Sequence, residues 1–150
     1  MNHLYDVAPK DFNTSVAVAA IYVACQGKLL WLKRSSLESS PGCWCVPGGR
    51  IKQGESPEEG ACRELFEETG IEENPLLFLG TFYLRRIDLD YVYHLFELPL
   101  AKLPTVILSE ESSAFRWVAP HEIIYLKTLS GAQEGLEKYL SLKRRMCDSA

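Results

Sequence analysis

A chain of 150 residues, 47% hydrophobic and 24% charged, is long enough to bury one core, too short for two ordinary domains and too apolar for a disordered polymer. Sixteen Lys and Arg against twenty Asp and Glu, a formal charge of −4, exclude a broad basic track for long nucleic acid and leave room for a local phosphate pocket. Five cysteines, an odd number with no CxxC pair, do not make a secreted disulfide framework and point to a reducing, cytoplasmic compartment.

One domain is expected over residues 1–150, with 1–14 as a loose N-terminal arm. The longest apolar run, 16–25, is about half the ~20 residues of a membrane helix and is rich in Val and Ile, so it reads as a buried strand. Asp6 and Asp11 precede it and no basic stretch does, which argues against a signal peptide and a membrane partner. A turn at 26–28 leads into a second strand at 29–32, making a hairpin. A polar loop spans 35–41, and 44–46 is a short extended piece ending at Pro47-Gly48-Gly49. A helix start is marked by Ser56 as N-cap, Pro57 in the first turn and Glu59 completing an S-x-x-E capping box; Gly70 stops it. Residues 76–84 and 91–98 form a second hairpin with a polar tip. A short strand at 115–118, a short helix at 120–126 and a longer one at 132–146 complete a mixed α and β chain.

At ~100° per residue, helix 57–69 sorts into two sectors. Ala61, Cys62, Leu65 and Phe66 make the apolar one; Glu64, Glu67 and Glu68 cluster opposite, with Gly60 among them and Arg63 at the edge. Like charges at this spacing repel by about 0.2–0.5 kcal/mol per pair in water, and more where water is excluded. A hard divalent cation turns that repulsion into attraction, so the arrangement predicts a magnesium site; taken alone, a solvated acidic face is the better reading of it. The concentration of acid favours the ion: Glu55, Glu58, Glu59, Glu72 and Glu73 flank the trio, and Gly48-Gly49 offers backbone without a Cβ.

From Gly49 to Ile71 the chain reads GRIKQGESPEEGACRELFEETGI, a glycine, five residues, a glutamate, seven residues, then R-E-apolar-x-E-E-x-G-apolar. This resembles the Nudix box at every fixed position, and LLWLKR, WCVPGG and FRWVAPHE extend the resemblance to about Val16–Leu126. It implies an α/β/α sandwich with a mixed β-sheet between helices. It also implies a MutT-like pyrophosphohydrolase that uses Mg²⁺, with Mn²⁺ as substitute, to cut the diphosphate of a (deoxy)nucleoside triphosphate or nucleotide sugar. Glu64, Glu67, Glu68 and the Gly49 carbonyl are the implied metal ligands. Glu111, six residues before Trp117, is a further ligand, with Glu110 as its neighbouring rival. Arg63 would pair with Glu55 and orient the cluster. Either Glu111 or a box glutamate would activate water.

Arg34 and Arg50 are the candidates for holding phosphate, whereas Arg85 and Arg86, at a hairpin tip, read as solvated. A non-catalytic nucleotide-sensing module is the alternative function, and an RNA-end hydrolase would need a basic track. A small nucleotide is the expected partner, with no membrane and no long nucleic acid; a homodimer is left open. The places that hold a proline in ADP-ribose-specific relatives and a tyrosine in dinucleoside polyphosphate hydrolases hold Arg86 and Asp88 here. Tyr83, Tyr91, Tyr93 and Trp44 offer faces for a base, though aromatics at strand spacing are more often core. Cys43, Cys45 and His94 do not match zinc spacing, no histidine sits in a hydrolase triad motif, and the basic residues 143–145 suit a helix C-terminus.

Overall fold

The computed structural model describes residues 1–148. In chain order the elements are β1 (His3–Tyr5), β2 (Ala17–Cys25), β3 (Lys28–Arg34), β4 (Trp44–Cys45), β5 (Gly48–Arg50), α1 (Pro57–Thr69), β6 (Leu77–Arg85), β7 (Asp90–Leu100), β8 (Ser112–Val118), a 3₁₀ turn (Pro120–Tyr125) and α2 (Ala132–Asp148). One mixed sheet runs β1-β6-β7-β2-β3-β4, with β5 also on β2 and β8 on β3. β2 and β7 are parallel over nine pairs, from Ala17–Val92 to Cys25–Leu100, and every other ladder is antiparallel.

The apolar run of β2 is continuous because the strand is covered on both faces. Ala19, Ile21 and Val23 pack with Leu30, Leu32, Phe96 and the Ala61 and Leu65 side of α1. Ala20 and Tyr22 pack with Trp31, Tyr93, Leu95 and the Leu136 and Tyr139 side of α2. Period-two alternation along β2, β3 and β7 thus divides the core into two layers, giving the expected sandwich of helices about a mixed sheet.

The N-terminal stretch is not a free arm. His3, Leu4 and Tyr5 pair with Arg85, Leu84 and Tyr83, Phe12 packs edge-on to Tyr83, and Asp6 accepts from Lys138 at 2.6 Å. Such an edge strand is invisible to local patterning because its stabilisation comes from a partner some 80 positions away.

One carboxylate lies deep in the α2 layer. Glu97, 2% exposed, accepts from Tyr139 Oη and from Lys143 Nζ at 2.9 Å, so two residues one turn apart on α2 clamp the helix to β7. Removing the hydroxyl while keeping the ring leaves the buried Glu97 carboxyl group one donor short. Tyr139→Phe is expected to destabilise the fold by about 1.5–3 kcal/mol in urea unfolding.

Candidate active site

The site forms where the first hairpin splits. Gln26 and Gly27 both adopt positive φ, 54° and 77°, which gives the two-residue turn the right twist for tight pairing, yet β2 and β3 stay paired only through Ala24–Leu29 and Cys25–Lys28. Beyond that β3 turns to β8 while β2 takes β5, with Ala20 opposite Gly48, Ala19 opposite Gly49 and Val18 opposite Arg50. The approach demands glycine at 48, where a Cβ would lie 2.2 Å from the Ala19 carbonyl oxygen; at Gly49 a Cβ would lie 2.6 Å from the carboxyl carbon of Glu64 and push that side chain aside.

α1 starts and stops where its caps direct. The Ser56 hydroxyl accepts from the Glu59 N–H at 3.1 Å, the Glu59 carboxylate accepts from the Ser56 N–H at 2.9 Å, and Gly70 closes the helix at φ 74°. Its rotation differs from the hydrophobic sectors. Ala61, Leu65 and Glu68 face inward while Phe66 is 50% exposed and Cys62 half-buried. The reason is a polar anchor: the buried Glu68 carboxylate accepts from the Gly48 N–H at 3.1 Å, drawing the 61–65–68 stripe onto the β2–β5 junction.

Arg63 uses all five of its N–H donors. Nε and Nη2 form a fork on the two Glu55 oxygens at 2.6 and 3.0 Å, Nη2 also reaches the Arg50 carbonyl at 3.1 Å, and Nη1 reaches Glu64 at 3.0 Å and Glu67 at 3.1 Å. The guanidinium and the Lys52 N–H together hold Glu55 down to about 2, so this carboxylate stays ionised and ties the loop before α1 to the helix. Arg63 is therefore the common strut of Glu55, Glu64 and Glu67.

Glu68 has the opposite electrostatics. Burial pushes its carboxyl up to about 8 against the pull of the Gly48 N–H, and the charges of Glu64 and Glu111 add to the rise. Burial also raises Glu64, partly offset by Arg63. The cluster is short of positive charge on its inner side. Among the described residues no three His, Cys, Asp or Glu are gathered as they stand around one ion position, since Arg63 draws Glu64 and Glu67 and Gly48 draws Glu68.

A pocket of about 780 Å³ opens over this cluster. Glu64, Glu67, Glu68, Glu111 and Gly49 all lie on its wall, whereas Glu110 does not. The Glu111 carbonyl accepts from the Ser35 N–H at 2.9 Å, which fixes the β8 approach beside the end of β3 and brings a residue 43 positions beyond Glu68 to the same rim.

The arginines fall differently from expectation. Arg34 lines the pocket, but its guanidinium is held by the Ser39 carbonyl at 2.6 Å and hydroxyl at 3.1 Å. Arg50 is exposed on the wall. Arg85 is locked to Asp90 at 2.9 Å and lies over Phe12, while Arg86, expected to be solvated, lines the pocket because the hairpin tip leans over it. Tyr91 and Tyr93 line the pocket, Trp44 is buried under Arg116, and Tyr83 packs against Phe12 away from the site. His94 is bonded to Thr81 at 2.8 Å, and burial raises the Cys45 thiol to about 11, so neither is a zinc ligand in waiting.

Comparison with known proteins places this arrangement. The NUDIX domain profile matches residues 13–140, most of the chain and the whole of the site. The chain belongs to the Nudix hydrolase superfamily. It is 28% identical over 120 residues to a MutT-like protein of Streptomyces ambofaciens, covering 73% of this chain and 66% of that protein. An ADP-ribose pyrophosphatase of Bacillus subtilis is 34% identical over 80 residues, covering 53% of this chain and 43% of that one. The chain thus spans two thirds or less of the length of these curated relatives. The crystal structure of a MutT protein from Methanosarcina mazei Go1 superposes with a TM-score of 0.73 at 25% identity, covering 87% of this chain and 94% of that one. Among the described residues no helix of this Nudix protein is long and apolar enough to cross a membrane.

Proposed function

We propose that this protein is a cytoplasmic, divalent-cation-dependent pyrophosphohydrolase that cleaves the diphosphate linkage of a small nucleotide, a (deoxy)nucleoside triphosphate or a nucleotide sugar. The observation that carries the reading is the convergence of Glu64, Glu67, Glu68 and Glu111 on one pocket wall around the glycine backbone at Gly49. The donors are all oxygen, crowded, and under-neutralised at Glu68, which fits a hard cation such as Mg²⁺ or Mn²⁺. Glu64, Glu67, Glu68, Glu111 and the Gly49 carbonyl would hold it. When bound, such an ion neutralises the diphosphate and makes a neighbouring water more acidic.

The chain's own groups supply the rest. Arg63, saturated by five acceptors, holds Glu55, Glu64 and Glu67 in fixed relation and prevents the cluster from splaying. Among the described residues Glu111 engages no side-chain donor, in contrast to Glu64 and Glu67, which Arg63 holds, and it is the carboxylate best placed to take a proton from a water attacking phosphorus. Arg50 and Arg34 border the same rim and steady phosphate oxygens; Arg34 must exchange Ser39 for substrate to do so. The retained carboxylates favour catalysis over a sensing role.

A panel of nucleoside triphosphates, nucleotide sugars and ADP-ribose incubated with protein and Mg²⁺ tests the reading. Release of a nucleoside monophosphate with pyrophosphate or the phosphorylated second moiety is expected for at least one member. Binding without turnover across the panel would replace the hydrolase by a sensor.

A further inference from the structure

Burying a polar group without a partner costs about 1–3 kcal/mol, so such groups are rare in folded chains and tend to face something that completes them. Among the described residues two buried side-chain polar atoms have no hydrogen-bond partner, Trp31 Nε1 and Arg86 Nε. Both residues line the same pocket, and both atoms are donors. The missing partner is an acceptor; Trp31 is fully buried behind the wall, so an acceptor on what the pocket binds meets only Arg86, whose side chain is 27% exposed.

Arg86 is the accessible member of this pair. It sits at the β6–β7 tip, where its backbone N–H closes the turn on the Leu89 carbonyl at 2.8 Å. The turn does not need its side chain. Adjacent Arg85 already ties the strands through two bonds to Asp90, at 2.9 and 3.0 Å. Asp88 Oδ1 lies 3.4 Å from Arg86 Nε, close enough for charge contact but out of line for a hydrogen bond. The tip thus presents a forked donor beside an exposed carboxylate acceptor, next to the half-buried ring of Tyr91 in the pocket wall.

A donor beside an acceptor suits poorly a phosphate, which the Asp88 charge repels. It suits the edge of a nucleobase, which offers ring nitrogens or carbonyls next to N–H groups and a flat face for an aromatic ring. We propose that Arg86 is a specificity-determining residue of this pocket, donating to the nucleobase of the substrate with Asp88 accepting beside it. The inference rests on the pyrophosphohydrolase reading and adds to it the group that reads the base, at a position the sequence alone leaves as a solvated tip.

The test compares guanosine triphosphate with ribose 5-triphosphate, which has the same phosphates and no base, as substrates for wild type, Arg86→Ala and Arg86→Lys. It also includes calorimetric binding of the α,β-methylene analogue of guanosine triphosphate. Arg86→Ala is expected to raise KM for the nucleotide, and Kd for the analogue, by about tenfold while leaving kcat within about twofold and ribose 5-triphosphate unaffected. Arg86→Lys keeps the charge but not the fork and should not restore affinity. An equal loss on ribose 5-triphosphate would make Arg86 a phosphate contact, and unchanged constants on both substrates would make it a solvated tip; either result overturns the proposal. Where wild type turns over neither compound, the hydrolase reading rests on the wider nucleotide panel and the analogue alone decides the role of Arg86: an affinity that Arg86→Ala leaves unchanged, or no binding by wild type, overturns the proposal.

Discussion

Glu67→Gln is expected to lower turnover by roughly 10²–10³-fold, the scale on which losing one preorganised electrostatic group at a reacting centre acts. The side chain is half exposed, keeps its size on substitution and loses at most its single bond with Arg63, whose bonds to Glu55, Glu64 and the Arg50 carbonyl remain. Stability should therefore move by no more than about 0.5 kcal/mol, as for other surface changes. The combination separates roles: a carboxylate that merely solvated the surface would leave turnover intact, and one that held the fold would shift the urea midpoint. Steady-state kinetics and urea unfolding on the same preparation check both.

Glu68→Gln is expected to stabilise the ion-free protein at pH 7.5 and to lose that advantage toward pH 5. Folding raises this carboxyl from an ordinary 4.5 to about 8, so the folded state prefers the protonated form. Its contribution is fully present below the unfolded value, erodes as pH rises, and is gone once pH passes the folded value. At pH 7.5 the wild type bears a cost on the order of 2–4 kcal/mol that the neutral amide does not, and near pH 4.5 the two converge. Urea unfolding in chelator at pH 5 and 7.5 measures the difference. A gap that stayed constant with pH would show that the buried carboxylate is already neutralised by other means.

The hairpins and the capped helix were legible because each has a local signature: apolar runs on β2 and β3 about a Gln26-Gly27 turn, S-x-x-E at Ser56, glycine at the end of α1; the sandwich class followed from the resemblance to the Nudix box. The shared face of the box glutamates was legible through spacing, since a helix converts sequence offset directly into geometry, and the Glu55–Arg63 pairing through the resemblance to the Nudix box. Orientation was not. Phe66 outscores Glu68 on any hydrophobicity scale, yet Glu68 goes inside because a Gly48 N–H awaits it across a strand junction that no window of sequence contains. Three other features were missed for the same reason: β1 depends on β6, β5 on a strand 30 positions earlier, and the approach of Arg86 to the pocket on the tilt of a hairpin tip. An arginine at a turn does carry a weak signal when its neighbour, here Arg85, already ties the strands through Asp90.

The retained crowding of acid at Glu64, Glu67 and Glu68 makes physical sense with a cation among them. Differential scanning of the chelated protein titrated with Mg²⁺ at pH 7.5, beside Glu67→Gln and Glu68→Gln, measures that directly. An ion bound only by the folded state raises stability as RT ln(1 + [L]/Kd), about 2.7 kcal/mol at 100 times Kd. The wild-type midpoint should climb through millimolar Mg²⁺ and level off later, while both variants respond far less. A wild-type midpoint indifferent to Mg²⁺ and Mn²⁺ throughout that range would contradict the account at its root.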